Sequence, residues 1–129
     1  MSESRKVWQV LKRTAPGDWY RLEVVNYFGF PDCLYNINGN VGLVELKWLP
    51  SWPSRSGTLT DLGVTPRQAE FMRGWCYQGG RGYILARIDN EWILVWGSDI
   101  GNMTREMWYN NCVWRGENLI NFDFLKDIL

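Results

Sequence analysis

The chain has 129 residues, 14 Lys and Arg against 14 Asp and Glu, and no histidine. That length supports one domain with a real core, taken as residues 1–129, and zero net charge argues against a protein that coats nucleic acid through bulk charge. The missing histidine excludes His-dependent nucleases, Ser-His-Asp hydrolysis and HExxH zinc sites, and Cys33, Cys76 and Cys112 lack the CxxC spacing of a zinc ribbon.

Isolated cysteines fit a reducing compartment, and no apolar run approaches the ~20 residues of a membrane span. A cytoplasmic protein that uses no membrane is therefore expected. Ser4 to Lys12 predicts a short helix. Val7, Trp8, Val10 and Leu11 form its apolar face, and Lys12-Arg13 suits the negative end of the helix dipole. Pro16-Gly17 ends it. Asp18 to Phe28 is ambiguous between helix and strand, with a strand expected in its second half.

Pro31 to Trp48 predicts a hairpin. Cys33 to Ile37 and Val41 to Trp48 are its strands, and Asn38-Gly39-Asn40 carries the turn. Leu49 to Val64, rich in Pro, Ser and Gly, is a long loop of the kind that is usually functional or mobile. Trp52 is expected to pin it to the core. Thr65 then opens a helix: it is the N-cap, Pro66 takes the first helical position, and Gln68 completes a T-x-x-Q capping box. This helix runs to about Gln78 and stops at Gly79-Gly80, with Phe71, Met72, Trp75 and Cys76 as its expected buried stripe.

Gly82 to Ile88 and Trp92 to Trp96 predict two more strands around an Asp89-Asn90-Glu91 turn. The intervening helix makes a right-handed crossover if the strands it joins are parallel. A helix near Thr104 to Asn110 and a short one from Phe122 complete the chain. Trp108, Tyr109 and Trp114 offer either an apolar contact between two copies or packing within one. The sum is an α/β domain with a mixed sheet of about four or five strands flanked by helices.

The hairpin carries the chemistry. Asp32, Glu45 and Lys47 share one face of it, and Leu46 points to the other. With Asn38-Gly39 as a two-residue turn, Asp32 sits opposite Glu45, where like charges are destabilising. With Gly39-Asn40 as the turn, Asp32 faces Lys47 in an ordinary cross-strand ion pair. In the first register the two carboxylates require a compensating cation, and all-oxygen ligands favour a hard divalent ion.

Pro31-Asp32, a short strand and turn, then Glu45-Leu46-Lys47 resembles the signature of the PD-(D/E)xK nuclease superfamily. Trp19 to Glu23 (WYRLE) with Gly29-Phe30-Pro31-Asp32, and later Thr65-Pro66-Arg67-Gln68, resemble flanking blocks of small phage and VRR-NUC-type nucleases. The resemblance covers about Trp19 to Trp96. It implies a restriction-endonuclease-like core and a Mg²⁺-dependent DNA endonuclease, with Mn²⁺ able to substitute.

By the same resemblance, Asp32, Glu45 and the Leu46 carbonyl bind the metal, with Glu23 as a further acidic ligand or else a solvated or Arg21-paired carboxylate. Lys47 orients water or stabilises developing charge. Gln68 is either a cap or an amide near the metal. Arg55, Arg67 and Arg73 contact the DNA backbone. By analogy with stand-alone domains of this size, the enzyme is a homodimer resembling a Holliday-junction resolvase, acts on branched DNA, and works in a host cytoplasm if phage-encoded. The alternatives are a restriction or recombination nuclease of the same fold, or a non-catalytic nucleic-acid-binding protein.

Overall fold

The computed structural model describes residues 3–23 and 29–117. One mixed sheet holds six strands in sequential order: β1 (Asp18–Arg21), β2 (Cys33–Ile37), β3 (Asn40–Leu49), β4 (Gly82–Ile88), β5 (Glu91–Trp96) and β6 (Trp114–Gly116). Neighbours are antiparallel except β3 and β4, which are parallel. A parallel pair needs a crossover, and the helix α2 (Pro66–Tyr77) supplies it. The other helices among the described residues are α1 (Glu3–Thr14), α3 (Arg105–Asn111) and a short 3-10 turn at Gly97–Asp99.

Strand alternation sorts the core into two layers. On one face, Val7 and Leu11 of α1 pack on Cys33, Tyr35, Val44, Leu46 and Leu85. On the other, Ala69 and Met72 of α2, Trp108 of α3 and Trp52, Leu62 and Val64 of the long loop pack on Ile84, Ala86, Ile93 and Val95. The central strands are therefore covered on both sides, which makes β3 a rigid mount for anything it carries.

The hairpin turn settles the register. Asn38 (φ 54°) and Gly39 (φ 86°) both occupy the left-handed region, the requirement of a type I′ turn. Ile37 pairs with Asn40 and Cys33 with Val44, so the ladder's next position sets Asp32 against Glu45. The Asn36 side chain accepts the Gly39 N–H at 2.9 Å, a local bond that reinforces this turn over its neighbour.

Several expectations need correction. The sheet has six strands rather than four or five, because Asp18–Arg21 and Trp114–Gly116 both join it. Within Asp18 to Phe28 the described residues hold a strand in the first half, at Asp18–Arg21, where the sequence left helix and strand open. The second half of that stretch, residues 24–28, and the helix expected from Phe122 lie outside the described residues. On α2 only Ala69 and Met72 are buried; Phe71 and Cys76 are half-buried and Trp75 is exposed, its indole N–H donating to the Arg81 carbonyl at 2.8 Å. Trp108 is buried, Tyr109 is held inside the monomer and Trp114 packs against the α1-side core, so these rings are largely used within one chain.

Candidate active site

Glu45 projects from the middle of β3 toward the α2 layer, beside Ile84 of β4. It is 3% exposed, and among the described residues it is the one charged side chain in the core. Asp32 reaches it from the entry to β2. The Asp32 carbonyl accepts the Leu22 N–H at 2.8 Å, and its Oδ2 accepts the Leu46 N–H at 2.9 Å, so the carboxylate is fastened directly to β3. Leu46 thus serves the site through its backbone, while its side chain is buried in the opposite layer.

The approach to Asp32 explains the sequence before it. Gly29 has φ 93°, and a Cβ there would lie 2.8 Å from the Arg67 carbonyl oxygen. Only glycine lets this segment press against the first turn of α2. Phe30 then packs on Phe71 with ring centroids 5.0 Å apart, and Pro31 is buried. These contacts hold the segment that leads into Asp32 against the start of α2.

The electrostatics follow from that enclosure. Burial pushes the Glu45 pKa far above the ordinary carboxylate range; the hydrogen bond to Asp32 and the Asp32 charge push it further, and Lys47 pulls it back. Glu45 Oε2 is buried without a hydrogen-bond partner. An orphaned oxygen beside a second carboxylate is costly in an empty site and is what a hard cation would relieve. Cys33 lies next to this pair, but burial first, then Asp32 and Glu45, push its thiol upward, so it is no nucleophile.

Lys47 is half-buried on the same face of β3. Its Cδ would be 3.9 Å from a Cβ placed on Gly63, which has φ 78° and donates its N–H to Asp61 Oδ1 at 2.8 Å. The long loop, which leaves β3 just past Lys47, therefore borders the site through Gly63. Its other anchor is Trp52, whose indole N–H donates to Glu91, as the expected pinning role requires.

Gln68 forms the full capping box: its Oε1 accepts the Thr65 N–H at 2.9 Å, and its own N–H donates to Thr65 Oγ1 at 3.2 Å. The carbonyl oxygen is committed to the cap, which leaves the amide NH₂ for any ligand. Gln68 and Arg67 line a shallow concavity with Gly29, on the first turn that the segment leading into Asp32 packs against. Arg73 instead turns toward the 3-10 segment and contacts the Ile100 carbonyl at 3.4 Å. Arg55 is exposed and lines a different concavity, between the long loop and α3.

Glu23 does not join the pair. It is exposed and lines a groove with α1 and Arg21. Among the described residues no three His, Cys, Asp or Glu side chains converge, so a cation at Asp32 and Glu45 would draw its remaining ligands from backbone or solvent. No protein-family model matches the chain, and no curated protein matches it.

Proposed function

We propose that the protein is a Mg²⁺-dependent DNA endonuclease that hydrolyses phosphodiester bonds at Asp32, Glu45 and Lys47, on a restriction-endonuclease-like core. The single observation that carries this reading is the enforced pairing of Asp32 with buried Glu45, one oxygen of which has no partner. The hydrogen bond between the two acids leaves Glu45 Oε2 unmet, and stability alone favours an amide or an apolar side chain at position 45.

Asp32 and Glu45 would hold the ion, with the Leu46 carbonyl as the next ligand, and Mn²⁺ would substitute. Bound there, the ion would supply Lewis-acid chemistry, activating water and offsetting phosphate charge. The protein's own part is to fix the two carboxylates, Glu45 on the central strand β3 and Asp32 at the entry to β2, where its Oδ2 is held by the Leu46 N–H. Lys47 presents a cation to the charge that develops on the scissile phosphate. Arg67 and the Gln68 amide, on the turn that the segment leading into Asp32 packs against, orient the phosphate on its approach.

We further read the enzyme as structure-specific and homodimeric. A neutral chain must hold DNA through a few placed cations, and a two-fold dimer doubles them and presents two sites to two strands.

The test is cleavage of linear, flapped, forked and four-way DNA with Mg²⁺, with Mn²⁺ and with EDTA. Metal-dependent nicking, greatest on a branched substrate, is expected. No cleavage of any DNA with either ion would defeat the reading. Equal cleavage of linear and branched DNA by a monomer would defeat the junction specificity alone.

A further inference from the structure

Arg105, at the start of α3, is mounted more firmly than an exposed arginine requires. Its guanidinium carbon lies 5.5 Å from the centre of the Trp52 ring and 5.3 Å from that of Tyr109, and its Nε donates to the Tyr109 hydroxyl at 2.8 Å. One NH₂ nitrogen is 3.9 Å from Glu91, beyond hydrogen-bond reach. Among the described residues neither NH₂ group therefore has an acceptor, and the side chain is 57% exposed. A guanidinium held through its Nε and by aromatic rings, with its fork of NH₂ donors open, is preorganised for an oxyanion.

Two concavities share Arg105, and they differ in charge. One is lined by Asp89, Glu91 and Glu117, which repel an anion. The other lies between the long loop and α3 and has a volume of about 400 Å³. Arg55, Ser54, Ser56, Thr58 and Thr104 line it beside Arg105, with Glu106 as its one carboxylate among the described residues.

We propose that this second concavity is a phosphate site, which takes a backbone phosphate of DNA away from the scissile one. Arg55 and Arg105 supply the charge, and the serine and threonine hydroxyls supply further donors. The concavity offers no ring face to a base. Arg105 and Arg115 both sit over Tyr109, the latter at 3.9 Å, and Trp52 is buried. Recognition is thus of phosphate and not of sequence. A purely structural role for Arg105, as partner to Glu91, is a poor rival. Glu91 already accepts from Trp52 and Tyr109, and that role leaves Arg55 unexplained.

The position in the fold supports DNA as the carrier of the phosphate. The long loop leaves β3 at Leu49, two residues past Lys47, and Gly63 brings it back beside the Lys47 side chain. Trp52 and Trp108, which seat the loop and α3, pack in the core layer of Ile84, the β4 neighbour of Glu45. The loop and α3 therefore lie on the face of the sheet that carries Glu45. Phosphate binding itself stands apart from the nuclease reading; only the choice of DNA as carrier rests on it.

The test is a titration of ¹⁵N-labelled protein in EDTA, so that binding is read without cleavage. Two-dimensional NMR follows the Arg105 Nε–H and the Thr58 and Thr104 amides against sodium phosphate, a short DNA duplex, and sodium chloride of matched ionic strength. Shifts should saturate with phosphate, and at lower concentration with duplex, beyond any caused by chloride. Arg55→Gln and Arg105→Lys should each weaken both ligands by at least about fivefold, since Lys keeps the charge but not the fork. Glu106→Gln should tighten both. Arg55 is exposed, so its variant keeps the test decisive even where Arg105→Lys loosens the loop.

Shifts with phosphate and duplex no larger than those with chloride would overturn the site. So would unchanged affinity in Arg55→Gln, or weaker binding by Glu106→Gln. Saturation by phosphate with no response to duplex would overturn DNA as the carrier. The two readings fail separately. Mg²⁺-dependent cleavage by a protein whose Arg105 does not respond to duplex refutes this site alone. A response to duplex without cleavage of any DNA refutes the nuclease and leaves the phosphate site standing.

Discussion

Two glutamates on the α2 side of the molecule receive opposite treatment. Glu91, at the start of β5, accepts hydrogen bonds from the Trp52 indole and the Tyr109 hydroxyl and has the Arg105 guanidinium 3.9 Å away. Arg105 in turn donates to Tyr109 at 2.8 Å, and Arg115 covers the Tyr109 ring at 3.9 Å. Glu45, more deeply buried, has a second carboxylate for its nearest partner and one oxygen with none. Both are conspicuous acids in a cluster. The difference teaches that a satisfied carboxylate fastens structure, here the long loop to β5 and α3, whereas an unsatisfied buried one calls for an explanation that packing does not give, and the proposed ion is one.

The largest way to sharpen the contrast is to remove the charge at each place. Asp32→Asn and Glu45→Gln should each lower cleavage by about two orders of magnitude or more, with the fold retained. Single-turnover cleavage alongside circular dichroism checks this, and substantial activity in either variant would sink the site. Glu91→Ala should do the reverse. Leaving the Trp52 and Tyr109 donors without their acceptor should cost about 2 kcal/mol in urea unfolding, with cleavage per folded molecule kept.

A smaller effect is expected at Gln68. Gln68→Ala removes half of the capping box and should cost about 1 kcal/mol. Gln68→Glu should retain the box but set a negative charge beside the approaching phosphate. A fall in cleavage with stability kept would assign the amide a role at the site; unchanged cleavage would confine it to capping.

The pH dependence of the metal-free protein sharpens the contrast without any substrate. The folded state raises the Glu45 pKa above its unfolded value. Protonated Glu45 is thus favoured by folding, and its contribution is fully present below the unfolded carboxyl value of ~4.3. That contribution is lost as pH rises toward the folded value, so thermal unfolding in EDTA should show lower stability at mildly alkaline than at mildly acidic pH. Glu45→Gln should flatten this slope and be the more stable protein on the alkaline side. An equal slope in both proteins would show that Glu45 is not the group responsible.

The hairpin and the capping box were legible because each depends on local chemistry that leaves few alternatives. Asn38-Gly39 takes two positive φ values readily, and Thr65-Pro66 with Gln68 meets the demands of a helix start. The short edge strands were not legible. β1 buries only Trp19 of its four residues, and β6 is three residues long with none fully buried, so neither carries an alternation to read.

Phe71 and Trp75 misled because periodicity treats every aromatic as core. The buried face of α2 is narrow, limited to Ala69 and Met72 with Cys76 half-covered, and the rings fall beside it. Arg73 and Glu23 show the same limit from the polar side. A residue type and a spacing do not fix which way a side chain turns, and Arg73 turns to Ile100 while Glu23 turns to α1. The pairing of Asp32 with Glu45 was legible up to one choice of turn, which φ at Asn38 and Gly39 decides.

Calorimetric titration of Mn²⁺ into the metal-free protein near neutral pH, in two buffers of different ionisation heat, tests the central claim most directly. One ion per chain should bind with release of up to about one proton, because the ion must displace the proton that burial favours on Glu45. Both the binding and the proton release should vanish in Glu45→Gln. An absence of binding at millimolar Mn²⁺, or binding that survives Glu45→Gln unchanged, would contradict a metal site at Asp32 and Glu45.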